Sequence, residues 1–308
     1  VPSDTACARA SQRSDASWPI VRSGLRDAKR VSVVCIGLLP ASRKPVNALP
    51  NFDPDCLERR DPQLIGALLP SLRAFNERYF RLRREGLEHI HDAPALYVSN
   101  HNGGIAGPDL ACTTATLWER LGAQSPLFAL THDFAMRQFS QLGRLLQRVG
   151  AVRACPQNAV RVLESGGSVL VYPGGDIEAY RHTRQRDHVV FGQRDGFVRI
   201  AQRTRVPIIP IVVQGAHRSA YIFHDGARIA SAMRMRHWAR LQRFPLALAL
   251  PWGLAIGPWM PYLPLPFPIR LRVLPPMRFA KTDDPRVASE TVRLKMQDAM
   301  NELARRSS

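Results

Sequence analysis

Between residues 95 and 213 short apolar runs alternate with segments of helical periodicity, and this alternation constrains the fold of the 308-residue chain more than any other feature. Strand-like runs at 95–100, 128–130, 168–172 and 206–213 are separated by helix-patterned stretches at 110–121, 136–149, 158–164 and 197–204. Such alternation predicts an α/β fold, a mixed and largely parallel sheet flanked by helices. Chemistry in these folds gathers in the loops at the carboxyl ends of the strands. Two glycine-rich loops stand there, at 101–109 and at 173–176.

The flanks read differently. Residues 1–60 are rich in Ser, Arg, Asp and Pro with little periodicity, which predicts a poorly ordered leader and an irregular arm. An apolar run at 31–41 resembles a short signal core and reads equally as an ordinary buried segment. Residues 61–308 are expected to form one domain. Its first helix is predicted over 70–88, where Leu72, Phe75, Tyr79 and Leu82 recur every three or four positions between charged residues. That helix reads first as core-facing and second as a basic helix lying on a bilayer. Val292, Met296, Met300 and Leu303 mark a closing amphipathic helix.

Charge narrows the partners. Forty-three Lys and Arg against 25 Asp and Glu give a net charge of +18, and only four of the cations are lysines. An anionic partner follows: phospholipid headgroups, a phosphorylated substrate or nucleic acid. The chain carries no zinc-finger, RNA-recognition or basic-zipper pattern, so no nucleic-acid partner is expected. Five cysteines without a CxxC pair make neither a disulfide framework nor a zinc site, and the simple reading is a reducing compartment.

One segment is unusual. Residues 244–269 carry no charge over 26 positions but contain seven prolines, which exclude a simple spanning helix. Trp252, Trp259 and Tyr262 are aromatics of the kind found at headgroup depth, and Arg234, Arg236, Arg240 and Arg243 precede them. A patch entering one leaflet, or framing a lipid tunnel, is expected; the alternative is a buried irregular connection. The protein is accordingly expected at the cytoplasmic face of a membrane, peripheral or monotopic, on an anionic phospholipid surface.

Within the first loop, His101 and Asp109 make a candidate base and orienter, since a carboxylate on one ring nitrogen fixes the tautomer and raises the basicity of the other. A loop histidine is also often simply exposed. His132 with Asp133, and His217, are secondary candidates at other strand ends. Gly174 and Gly175, after Pro173, either open backbone amides to a developing oxyanion or form a plain turn. No HExxH, GxSxG or Walker A pattern occurs, so neither a metal nor a serine nucleophile is expected, and Cys112 reads as structural.

These residues carry a resemblance. Ser99-Asn-His-Asn-Gly-Gly-Ile-Ala-Gly-Pro-Asp109 resembles the His/Asp loop of the lysophospholipid and glycerol acyltransferase superfamily (PlsC-like), most closely its neutral-lipid-like bacterial branch. The commonest family spacing puts the aspartate where Ala106 stands, so the loop resembles a longer version. Leu170-Val-Tyr-Pro-Gly-Gly-Asp176 resembles the family block that carries Glu-Gly-Thr-Arg, here replaced by Gly174-Gly-Asp-Ile. The strand at 206–213, and Gly150-Ala-Val-Arg153 with Asn158-Ala159, resemble two further blocks, covering residues 95–215 with weaker likeness to 276.

The resemblance implies a one-step acyl transfer from acyl-CoA or acyl-carrier protein to a hydroxyl of a glycerolipid or lysophospholipid, with no permanently bound cofactor. His101 would be the base and Asp109 its orienter; amides at Gly103 and Gly104, or at Gly174 and Gly175, would hold the oxyanion. Asn100, Asn102, Arg153, Asp176, Arg181 and Arg184 are the expected substrate-binding residues, the last two replacing the missing phosphate arginine only by a different geometry. The alternatives are acylation of a long-chain alcohol, an inactive membrane-binding module with His101 exposed and far from a carboxylate, and a hydrolase with a serine beside a histidine.

Overall fold

A computed structural model describes residues 52–102, 107–132, 135–136, 140–258 and 262–306. Seven strands form the main sheet: β1 (Arg83–Glu85), β2 (Leu96–Ser99), β3 (Leu127–Thr131), β4 (Ala151–Arg153), β5 (Ser168–Val171), β6 (Ile208–Gln214) and, last in the chain, β10 (Arg270–Val273). Their order is β1-β10-β6-β2-β5-β3-β4, and every pairing is parallel except β10 with β6. The predicted mixed, largely parallel sheet is the one found.

Strand alternation sorts the core into two layers. Leu96 and Val98 of β2 face one side with Ile208 and Val212 of β6, while Tyr97, Ile209, Ile211 and Val213 face the other. The first side is covered by α4 (Pro156–Glu164), α6 (Gly196–Thr204) and the closing helix α9 (Pro285–Arg305). The second is covered by α1 (Pro62–Tyr79) and α2 (Pro108–Leu121). Between β3 and β4 lies α3 (Ser140–Arg148), and a short α5 (Gly175–Ala179) follows β5.

The first helix begins and ends earlier than its apolar spacing predicts. Asp61 caps it by accepting from the Leu64 amide at 3.0 Å, and Pro62 occupies the first turn. Pro70 therefore lies inside the helix rather than at its start. Arg81 adopts a left-handed conformation (φ 48°), after which Arg83–Glu85 pair with β10, so Leu82 ends a loop and not a helical turn. The same Asp-Pro start recurs at α9, where Asp284 accepts from the amides of Arg286 and Val287.

Residues 52–60 are turns docked on the sheet. Asp55 receives the Arg153 guanidinium, with Nε to Oδ1 at 2.7 Å, and Asn158 Nδ2 at 2.7 Å; its carbonyl takes Arg161. Arg60 donates to the carbonyls of Ala123 and Ser125 at 2.7 and 2.6 Å. The expected leader at 1–51 lies outside the described residues.

The uncharged segment contains no helix able to cross a membrane among the described residues. It builds most of a second, antiparallel sheet from β7 (Tyr221–His224), β8 (Leu246–Ala249) and β9 (Gly253–Ile256). Two short helices, α7 (Ala227–Ala232) and α8 (Met235–Trp238), connect β7 to β8. The sheet inverts the usual pattern. Ala247, Ala249 and Ala255 point inward at 9%, 7% and 7% exposure, while Leu248 and Leu254, paired across the strands, stand 52% and 50% exposed. Leu250, Trp252 and Ile256 are also exposed, so the bulky apolar side chains face outward and the small ones inward. Trp259 lies outside the described residues.

Asp55→Ala removes the acceptor of two side chains at once, leaving Arg153 without its carboxylate. Thermal unfolding is expected to register a loss of about 1–3 kcal/mol; an unchanged melting temperature would show that residues 52–60 rest on the body without supporting it.

Candidate active site

His101 leaves the carboxyl end of β2 and Asp109 lies in the first turn of α2, where the helix dipole favours a carboxylate. Asp109 Oδ2 accepts from His101 Nδ1 at 2.7 Å and from the Asn102 amide at 2.9 Å. The eight-residue spacing thus closes into direct contact. Asp109 is fully buried and the His101 side chain is 15% exposed. With Nδ1–H donating to the carboxylate, Nε2 is the nitrogen left to take a proton.

The main chain of His101 is held as firmly as its ring. Glu178 Oε2 accepts from the His101 amide at 2.8 Å, and Arg181 Nη1 donates to the His101 carbonyl at 2.8 Å. Glu178 Oε1 accepts from the Val190 amide at 2.9 Å. All five N–H bonds of Arg181 have acceptors: the carbonyls of Gln185, His101, Glu178 and Arg186, and Asn102 Oδ1.

Burial alone would lower the His101 pKa, but the charge and hydrogen bond of Asp109 outweigh it, helped by Glu178 and opposed by Arg181, and the net shift is upward. Burial pushes Glu178 up to about 7 against the pull of Arg181 and two backbone amides. The Tyr172 ring lies 4.9 Å from the His101 ring, and burial raises its phenol well above the ordinary value.

Several expected substrate-binding residues are engaged elsewhere. Asn100 is buried and exchanges two hydrogen bonds with the Val213 backbone, at 3.0 and 2.8 Å, tying the loop to β6. Asn102 donates to the Val213 carbonyl at 2.8 Å and takes Arg181 on its oxygen. Arg153 is held by Asp55. Asp176 accepts from the Gln242 amide and lies 3.4 Å from an Arg194 nitrogen. Arg181, with every donor taken, has none left for a phosphate. Asn100, Asn102, Asp176 and Arg181 bond backbone groups and Arg153 bonds a carboxylate; Arg184 alone of the six is exposed.

The glycine loops divide. Gly103 and Gly104 lie outside the described residues. The Gly175 amide donates to the Tyr172 carbonyl at 3.1 Å, which removes it as an oxyanion donor. Pro173 is buried and its carbonyl accepts from Arg194 at 2.8 Å. Of the secondary candidates, His132 Nε2 contacts the Arg240 carbonyl at 3.1 Å, and Asp133 lies outside the described residues. His217 is buried, donates Nε2–H to the Arg181 carbonyl at 2.9 Å, and is pushed down to about 3 by burial, so it stays neutral.

Ser99 Oγ contacts the Asn100 carbonyl and Ser168 Oγ accepts from the Ala95 amide, so neither sits against a histidine. Among the described residues no three His, Cys, Asp or Glu side chains gather as a metal site. Glu178 escaped the sequence reading because its partner, His101, is 77 residues away and nothing local marks it.

Residues 81–214 match the family model described as Acyltransferase. An uncharacterized protein of Mycobacterium tuberculosis is 30% identical over 206 residues, covering 64% of this chain and 57% of that one. A Bos taurus protein described as a DGAT1/2-independent enzyme synthesizing storage lipids is 26% identical over 221 residues, covering 71% and 57%. The chain therefore spans a little over half the length of these relatives. The 1-acyl-sn-glycerophosphate (LPA) acyltransferase PlsC of Thermotoga maritima aligns with a TM-score of 0.48 and 16% identity, over 78% of this chain and 82% of that one. Residues 81–214 thus resemble the acyltransferase family, and the His101–Asp109 pair lies inside the matched stretch.

Proposed function

We propose that the chain transfers a fatty acyl group from a thioester, acyl-CoA or acyl-carrier protein, to a hydroxyl of a glycerolipid at a membrane surface, with His101 as general base. The observation that carries this reading is the 2.7 Å contact between His101 Nδ1 and a fully buried carboxylate. Nε2 takes the proton of the acceptor hydroxyl as its oxygen attacks the thioester carbonyl. The tetrahedral intermediate collapses, the C–S bond breaks, and the leaving thiolate takes the proton back from the imidazolium. Asp109 stabilises that cation and fixes the ring; no acyl-enzyme forms. With the Gly175 amide engaged, the amides of Gly103, Gly104 and Gly174 are the candidates left for the oxyanion.

An inactive module is disfavoured, since it requires a His101 without a carboxylate. The saturated guanidinium of Arg181 argues for an acceptor that needs no phosphate ligand at this position, such as a mono- or diacylglycerol or a long-chain alcohol. The Bos taurus relative, described as making storage lipids, points the same way.

The inverted second sheet supplies the membrane contact. Each half-exposed leucine forgoes roughly 1 kcal/mol of burial, and a face of several, with Trp252 beside them, fits the interior of one leaflet.

Four outcomes test the reading. Purified protein given palmitoyl thioester and a panel of acceptors is expected to form product, which His101→Ala lowers by about 10²–10⁴-fold; equal product from the variant would refute the base. The kcat/KM profile should rise with pH along a limb above 6.5, because the base works when neutral and its pKa is raised. Asp109→Asn should move that limb to lower pH, and a limb that stays in place would remove Asp109 from the role. For the membrane, the double change Leu248→Asp, Leu254→Asp should cut sedimentation with phosphatidylglycerol vesicles at least tenfold without altering circular dichroism. Undiminished sedimentation would assign docking to another face.

A further inference from the structure

At the edge of the outward-facing leucines a cavity of about 660 Å³ opens between the second sheet and the loops that follow α5 and β6. Its apolar wall includes Tyr221, Leu248, Leu250 and Phe267, and two cations, Arg186 and Arg218, share it; among the described residues no acidic one lines it. Arg218 lies on the turn Ala216–Ser219 between β6 and β7, and its Nε is buried without a hydrogen-bond partner among the described residues. That nitrogen is closed to solvent, so an anion in the cavity would meet the Nη end of the same guanidinium. Arg186 meets Asp187 at 3.5 Å, but the arginine side chain is 44% exposed, so the pair is weak and the charge open to a second anion.

Two cations beside apolar residues in one lining match an amphiphile with an anionic head. A layer separates this cavity from the reacting histidine: His217, next to Arg218, donates to the Arg181 carbonyl, and Arg181 donates to the His101 carbonyl. We propose that the cavity seats one phosphorylated lipid of the bilayer, its phosphate on Arg218 and Arg186 and an acyl chain along Tyr221, Leu248, Leu250 and Phe267, separate from the acceptor that reacts at His101. The seat rests on the membrane-docking part of the functional reading for its setting, and it gives the +18 charge one defined recipient among bilayer lipids.

Binding tests this without turnover. Isothermal titration of the full chain would use dihexanoyl phosphatidic acid below its micelle concentration, with dihexanoylglycerol and glycerol 3-phosphate as the separated halves. The phosphatidic acid should bind at least tenfold tighter than either half. Arg218→Gln and Arg186→Gln should each abolish most of that preference while leaving the melting temperature and the weak diacylglycerol binding in place. The exposed Arg186 carries little folding risk and keeps the test valid should Arg218→Gln destabilise the chain. His101→Ala should bind as the native chain does, so a protein that binds but transfers nothing would sink acyl transfer and leave the seat standing. A phosphatidic acid no tighter than its halves, or one that both arginine variants bind unchanged, would overturn the proposal.

Discussion

A single buried guanidinium holds the site together. Arg181 places one charge among five oxygen acceptors, and those acceptors belong to the loop after β2, to α5 and to the turn that follows it. Its own carbonyl takes His217 from the turn after β6, so loops from three strand ends meet at one residue. Burying such a charge is tolerable only because each N–H finds an oxygen in a geometry that the planar group imposes. Glu178, three residues earlier, offsets part of the charge and takes the His101 amide. His101 is therefore positioned through its backbone by this pair and through its ring by Asp109.

The same loops connect the site to the second sheet. Thr183 Oγ1 accepts from the Ile222 amide, fastening β7 to the segment that carries Arg181. The small alanines inside β8 and β9 let that sheet lie close against its support, with Ala220 among them. Their partners on the outer face are leucines and an isoleucine, which in a water-facing sheet would be polar. An outward apolar face is thereby built into the alternation of one hairpin.

Much of the main sheet was legible because its strands are short apolar runs bounded by Pro and Gly, and their edges moved by only a residue or two. Apolar spacing alone misplaces the first helix because it ignores the cap: Asp61-Pro62 starts the helix, and Leu82 continues the apolar rhythm into a loop. The second sheet was invisible as a sheet, since an uncharged, proline-rich run shows no period once both of its faces are apolar. Asn100, Asn102 and Arg153 looked like ligands because polar residues near a catalytic loop read alike whether they face a substrate or a carbonyl. The partner each side chain meets separates the two cases, and that partner is set only in the folded chain.

The amino-acid order by itself determined the α/β alternation, the loop carrying His101 and Asp109, and the uncharged segment that sets the chain apart, because each is encoded in local spacing. Only the tertiary structure decided that the imidazole meets the carboxylate at 2.7 Å, that Glu178 and Arg181 grip the same residue from about 80 positions away, and that the leucines of β8 and β9 face outward. Those outcomes depend on which strand ends the sheet order brings together, and strand order arises from packing both faces of the sheet at once, which no local pattern records.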